Sequence, residues 1–173
     1  MEKENKQKKQ RKPMSPDMVP EGFTVPLCIV DLIPVIGFFF SVIFLAKKTY
    51  FNYLFIFGGI LCTISGLIKV WWKFIVAIKK KNVWWMFNQM RIIFPIAFLL
   101  FSIGLIDILK NYSGTILNAT SYSKFFFTLW IIGMSLMTLF AIKLDSSDPK
   151  ANWIEQITNG ISQIFLCLAI EFL

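Results

Sequence analysis

Histidine is absent from the 173-residue chain, and charged residues are scarce. Without histidine, the chain cannot build a Ser-His-Asp or Cys-His catalytic arrangement or a histidine-ligated metal site. The three cysteines lie in separate apolar stretches and form no C-x-x-C pair, so neither a disulfide framework nor a zinc site is predicted. No nucleotide-binding or catalytic motif is present either. We therefore expect no metal, no cofactor and no enzyme activity.

The low charge content indicates a membrane protein. Hydrophobic residues make up 56% of the chain and charged residues only 16%, whereas about 25% of the residues in soluble domains are charged. So few charges cannot cover a water-exposed surface, but lipid-facing surface is apolar. The composition therefore predicts an integral membrane protein.

Apolar runs long enough to cross a bilayer recur along the chain. About 20 helical residues, rising about 1.5 Å each, span the hydrocarbon core. We predict an all-α, polytopic transmembrane bundle as one domain, residues 23–173, after a disordered, basic, proline-rich arm of residues 1–22. The predicted spans are residues 23–46, 53–72, 86–109, 124–142 and 153–173.

The last of these segments has two interpretations. Its polar residues share one helical face, namely Glu155, Gln156, Asn159, Ser162 and Gln163, and isoleucines dominate the other face. An amphipathic helix lying in the interface would have the same pattern, which would leave four spans. However, interfacial helices usually carry Lys or Arg on the polar face, and here none follows Lys150. The segment after Gln163 is also nearly all apolar, so we favour five spans.

Basic residues predict the orientation. Six of the first 12 residues are Lys or Arg, and Lys79, Lys80 and Lys81 follow the second span. The loops on the opposite side of the membrane carry fewer basic residues. This excess on one side predicts a cytoplasmic N-terminus in a cell membrane. We expect anionic lipid headgroups to contact the arm and this lysine turn, and we expect no nucleic-acid partner. The composition favours a bacterial plasma membrane, where the sequons at Asn111 and Asn118 would have no role.

The second span has one face of small residues. On a helical wheel, Gly58, Cys62, Ser65 and Gly66 fall in one sector, opposite a face of isoleucine, leucine and tryptophan. Small residues let helices approach closely in lipid, so we predict that this sector packs against a neighbouring helix. Lys69 and Lys73 continue the same sector, which predicts that they point into the bundle.

Charged and amide residues gather near the predicted cytoplasmic ends of the spans. The set comprises Asp31, Lys69, Lys73, Asn88, Arg91, Glu155 and Asn159. Ionisable groups at that depth are costly unless they are paired or hydrated. One interpretation is a polar vestibule with a slight anion preference, because three basic residues face two acidic ones. The other is a set of ion pairs that fixes the register of the helices.

Two functional classes remain. By elimination, we expect a non-catalytic membrane subunit that binds a membrane-protein partner. The alternative is a small homo-oligomeric transporter or channel, in which the vestibule near the prolines at 34 and 95 would hold the site.

The span count gives a direct test. With the N-terminus in the cytoplasm, five spans place a reporter fused after Leu173 outside, whereas four spans keep it in the cytoplasm. We expect an alkaline phosphatase fusion at that position to be active and a green fluorescent protein fusion to be dark. The reverse result would establish the four-span alternative.

Overall fold

The computed structural model describes residues 19, 22–114, 118–144 and 149–173, and within them the chain is helical without strands. The predicted arm lies outside these residues, except for Val19 and Gly22. The elements are α1 (Val25–Lys48), α2 (Tyr53–Lys79), α3 (Trp84–Asn88), a 3-10 helix (Gln89–Arg91), α4 (Ile93–Asn111), α5 (Ser121–Lys143) and α6 (Pro149–Glu171).

Four helical segments are long and apolar enough to cross a membrane. They are Val25–Lys48, Tyr53–Lys79, Trp84–Asn111 and Ser121–Phe140. The prediction of an all-α, multi-pass membrane fold is therefore confirmed. Helix α6 is not among the four, because the polar residues of its first half lower its hydropathy.

The five long helices form a row in the order α4, α2, α1, α6 and α5. Helix α2 runs antiparallel to α1, since Asp31 pairs with Lys73 and Val42 lies against Gly59. The row is curved, because Phe38 of α1 reaches past α2 to Phe101 of α4, with 5.4 Å between the ring centroids.

Helix α6 runs parallel to α1 along most of its length. Near the middle of α6, Gly160 faces Ile33, and further on, Cys167 lies 3.0 Å from the carbonyl oxygen of Gly37. At the far end, the Lys48 ammonium donates to the carbonyl oxygen of Glu171. A helix lying flat on the membrane would cross α1 at one point only. This packing supports the fifth span, which remains a prediction.

The row has two open ends. Among the long helices that the structure describes, α4 has its backbone next to α2 alone and touches α1 only through the Phe38–Phe101 ring contact, and α5 packs only on α6. The difference is clear in burial, because 39% of the apolar stretch of α1 is buried but only 6% of that of α5. Helix α5 therefore presents most of its surface to the membrane.

Prolines affect two spans differently. Pro34 lies inside α1, which continues unbroken, whereas the predicted third span is interrupted before Pro95 by the 3-10 turn at Gln89–Arg91. Proline has no N–H for the carbonyl of Arg91, and its ring clashes with that carbonyl in a regular α-helix. The chain therefore reaches α4 through a break that the hydropathy pattern does not reveal.

Two glycines allow α2 and α4 to cross in backbone contact. A Cβ added at Gly58 would lie 2.3 Å from the backbone nitrogen of Phe101. Likewise, a Cβ at Gly104 would lie 2.2 Å from the backbone nitrogen of Phe55. Real carbon atoms do not approach this closely, so any larger residue must push the helices apart.

This crossing predicts that Gly58→Ala lowers the free energy of unfolding of the purified protein in detergent by roughly 1–3 kcal/mol, because the added methyl group overpacks the contact. Gly114 is the matched control, because no atom lies within 4 Å of its added Cβ. Gly114→Ala should change the free energy of unfolding by less than about 0.5 kcal/mol. Equal effects in denaturant titrations would refute the close crossing.

Candidate functional site

A buried ion pair joins α1 to α2. It lies toward the end of α2 that the lysine turn follows. The Lys73 ammonium lies 2.5 Å from the Asp31 carboxylate, and the two residues are only 5% and 7% exposed. The ring of Phe23 covers the ammonium at 5.6 Å. Both charges are thus withdrawn from solvent and lipid, and each is neutralised by the other.

Two further charges lie around this pair. Lys69, one turn before Lys73 on α2, interacts electrostatically with Lys73, Asp31 and Glu155 of α6. Lys69 and Glu155 are half-buried. We call Asp31, Lys69, Lys73 and Glu155 the charge cluster. It contains two positive and two negative groups from three helices, and the predicted Asn159 lies one turn beyond Glu155.

Asn88 and Arg91 lie elsewhere. They belong to α3 and the 3-10 helix, whose contacts within the described part of the chain are with each other, α2 and, for the 3-10 helix, α4. Arg91 is exposed, and its guanidinium lies 5.6 Å from the centre of the Phe87 ring. The excess of basic residues that suggested an anion preference is therefore not found in the charge cluster.

The small residues of α2 contact two neighbours rather than one. Gly58 meets α4, whereas Gly66 faces Val35 of α1, so that a Cβ added at Gly66 would lie 3.2 Å from the Val35 side chain. Cys62 and Ser65 are buried between them. The opposite face of α2 is exposed, as its isoleucine and tryptophan residues predict.

One buried hydrogen-bonded pair was not predicted. The Ser65 hydroxyl donates to the Gln89 side-chain oxygen at 2.7 Å, and the Gln89 amide donates to the Ser65 carbonyl at 3.0 Å. This pair ties the break before α4 to the middle of α2. The available signal was a polar side chain inside a predicted span, since a buried amide in lipid needs partners.

A second polar group was also not predicted. It lies at the opposite ends of the helices, away from the lysine turn. The Asp107 carboxylate accepts hydrogen bonds from Tyr50, from Asn52 at 2.8 Å and from Asn111 at 3.2 Å. The sequon residue Asn111 thus uses its amide within α4 and also donates to the Tyr50 hydroxyl, in the loop before α2, at 3.3 Å. These side chains come from the loop before α2 and from the end of α4, so their meeting depends on the packing of the helices.

The chain matches no protein-family model, no curated protein sequence and no solved structure. Within the described ranges, no group of three or more potential ligands is placed to hold a metal ion. The charge cluster can hold three helices in register and attract water, and its groups offer no nucleophile aligned with a base.

The ion pair predicts a specific pattern of coupling. Asp31→Asn or Lys73→Met alone should cost about 3–5 kcal/mol, because each leaves an uncompensated buried charge. The double variant should cost much less than the sum of the two. Thermal and denaturant unfolding in detergent measure the coupling, with exposed Lys81→Met as a nearly neutral control. Additive losses would show that the two charges do not depend on each other.

Proposed function

We propose that this chain is a non-catalytic membrane subunit that binds a second membrane protein along α5. The observation that carries the proposal is the open row, in which the described part of α5 packs on α6 alone among the helices. Because only 6% of its apolar stretch is buried, α5 has surface available for contact with another helix.

The outward side of α5 is not purely apolar. Thr128, Ser135 and Thr138 are exposed there, and each hydroxyl donates to the carbonyl four residues earlier in its own helix. Together with Ile131 and Ile142, they recur at alternating steps of three and four residues. Such a stripe of small hydroxyl residues is typical of helix–helix interfaces in membranes, because it allows close approach.

Anionic lipids are proposed as additional partners at the lysine turn. Lys79, Lys80 and Lys81 are exposed after α2, and the exposed Trp71 and Trp85 flank the turn in sequence. Lysines beside tryptophans suit the headgroup region of a leaflet with anionic lipids. The same contacts would hold the end of α2 at the predicted cytoplasmic surface.

The alternative function is a small homo-oligomeric transporter or channel. The meeting of Asp31, Lys69, Lys73 and Glu155 next to α6 favours it, since polar groups would line a cytoplasmic vestibule. The balanced charge of the cluster gives no reason for anion selectivity. Flux of both anions and neutral polar solutes into liposomes would therefore have to be measured.

Photo-crosslinking in native membranes tests the partner surface. A photoreactive phenylalanine analogue at Ser135 should give a discrete adduct with another protein. The matched control is the same analogue at Ile64, which is exposed on α2 and should react with lipid only. Lipid adducts alone at both positions would contradict the proposal, and a dimer of this chain at Ser135 would favour the homo-oligomeric alternative.

A further inference from the structure

We infer that the charge cluster opens into a water-filled seam between α1 and α6, which extends as far as Gln163 and Trp130. This inference does not depend on the partner surface of α5. It assigns water as the ligand of polar groups that the proposed function does not use.

The seam is marked by polar atoms without protein partners. Gln156 and Gln163 of α6 are each 8% exposed, and their side-chain oxygens accept no hydrogen bond from the described residues. The indole nitrogen of Trp130 on α5 is also buried, with no acceptor in the same ranges. The Gln163 amide reaches only the Met134 sulfur, at 3.9 Å.

Such atoms are costly in a membrane interior, because no bulk water can satisfy them there. The set contains two acceptors and one donor. A hydrocarbon chain can serve neither kind, and an anion can serve only the donor. Water both donates and accepts, and it satisfies buried polar groups of this kind in protein interiors.

The spacing of the polar residues on α6 suits single water molecules. Glu155, Asn159 and Gln163 follow one another at four-residue steps, which correspond to about 6 Å of helix rise. One water can bridge two polar groups that lie up to about 5.6 Å apart, the sum of two hydrogen bonds of about 2.8 Å each. The half-buried Lys69 and Glu155 provide the entrance, since both require hydration beyond their mutual attraction.

The seam ends one turn beyond Gln163. There the Cys167 thiol contacts the Gly37 carbonyl at 3.0 Å and the Ser41 hydroxyl at 3.1 Å, so its polar contacts are already made. The adjoining groove of about 340 Å³ is lined by apolar side chains such as Ile36, Phe40 and Leu168. Water therefore enters where the helices end near the lysine turn, and it does not cross the protein.

Cysteine accessibility tests this seam at matched depths. In a background with Cys28→Ala, Cys62→Ala and Cys167→Ser, the pairs are Asn159→Cys against Ile161→Cys and Gln163→Cys against Ile164→Cys. Ile161 and Ile164 are on the exposed apolar face of the same helix. The probe is a charged methanethiosulfonate reagent added to purified protein in liposomes.

The thiolate attacks the sulfenyl sulfur of the reagent and releases methanesulfinate. Because the thiolate forms only where water is present, the two seam positions should react at least about tenfold faster than their partners. Equally slow reaction within both pairs would overturn the inference. If the variants do not purify as folded protein, hydrogen–deuterium exchange of the unmodified chain decides. Amides of residues 156–163 should then exchange faster than those of residues 56–63 of α2, and equal protection would refute the seam.

Discussion

The buried ion pair between Asp31 and Lys73 is the constraint on which the rest of the arrangement depends. In a low-dielectric interior, neither charge is tolerable alone, so α1 and α2 can pack only in a register that brings the two together. With that register set, Val42 lies against Gly59 and Val35 against Gly66. The polar interaction thereby selects one register among several that apolar packing would allow.

Helix α2 connects the two halves of the row. On one side, Gly58 receives α4 and Ser65 holds Gln89 of the 3-10 helix. On the other side, Gly59 and Gly66 meet α1, and Lys69 and Lys73 face the acidic groups of α1 and α6. Lipid tails are as apolar as leucine, so helices in a membrane gain little from burying apolar surface against one another. Close approach at glycine and hydrogen bonds between polar side chains take over that role here.

The sequence predicted the membrane fold, the small face of α2 and the inward direction of Lys73, because hydropathy identifies the spans and because small and charged residues that share one helical face mark a packed side. It could not predict the order of the helices, since an apolar face can meet lipid or a neighbouring helix equally well. For the same reason, it grouped Arg91 with the charge cluster. The side of α2 on which Arg91 lies depends on the break before Pro95, which the hydropathy pattern does not reveal.

The central claim is that the helices form an open row with α4 and α5 at its two ends. Spin labels can be placed at Ile96 of α4 and Ile131 of α5, which are both exposed. Pulsed electron resonance then measures the distance between the two end helices. Packed neighbours lie about 10 Å apart between axes, and three other helices stand between α4 and α5 in the row. A main distance well beyond 20 Å (about two helix spacings) is the predicted result. A distance typical of adjacent helices would show a closed bundle and contradict the account.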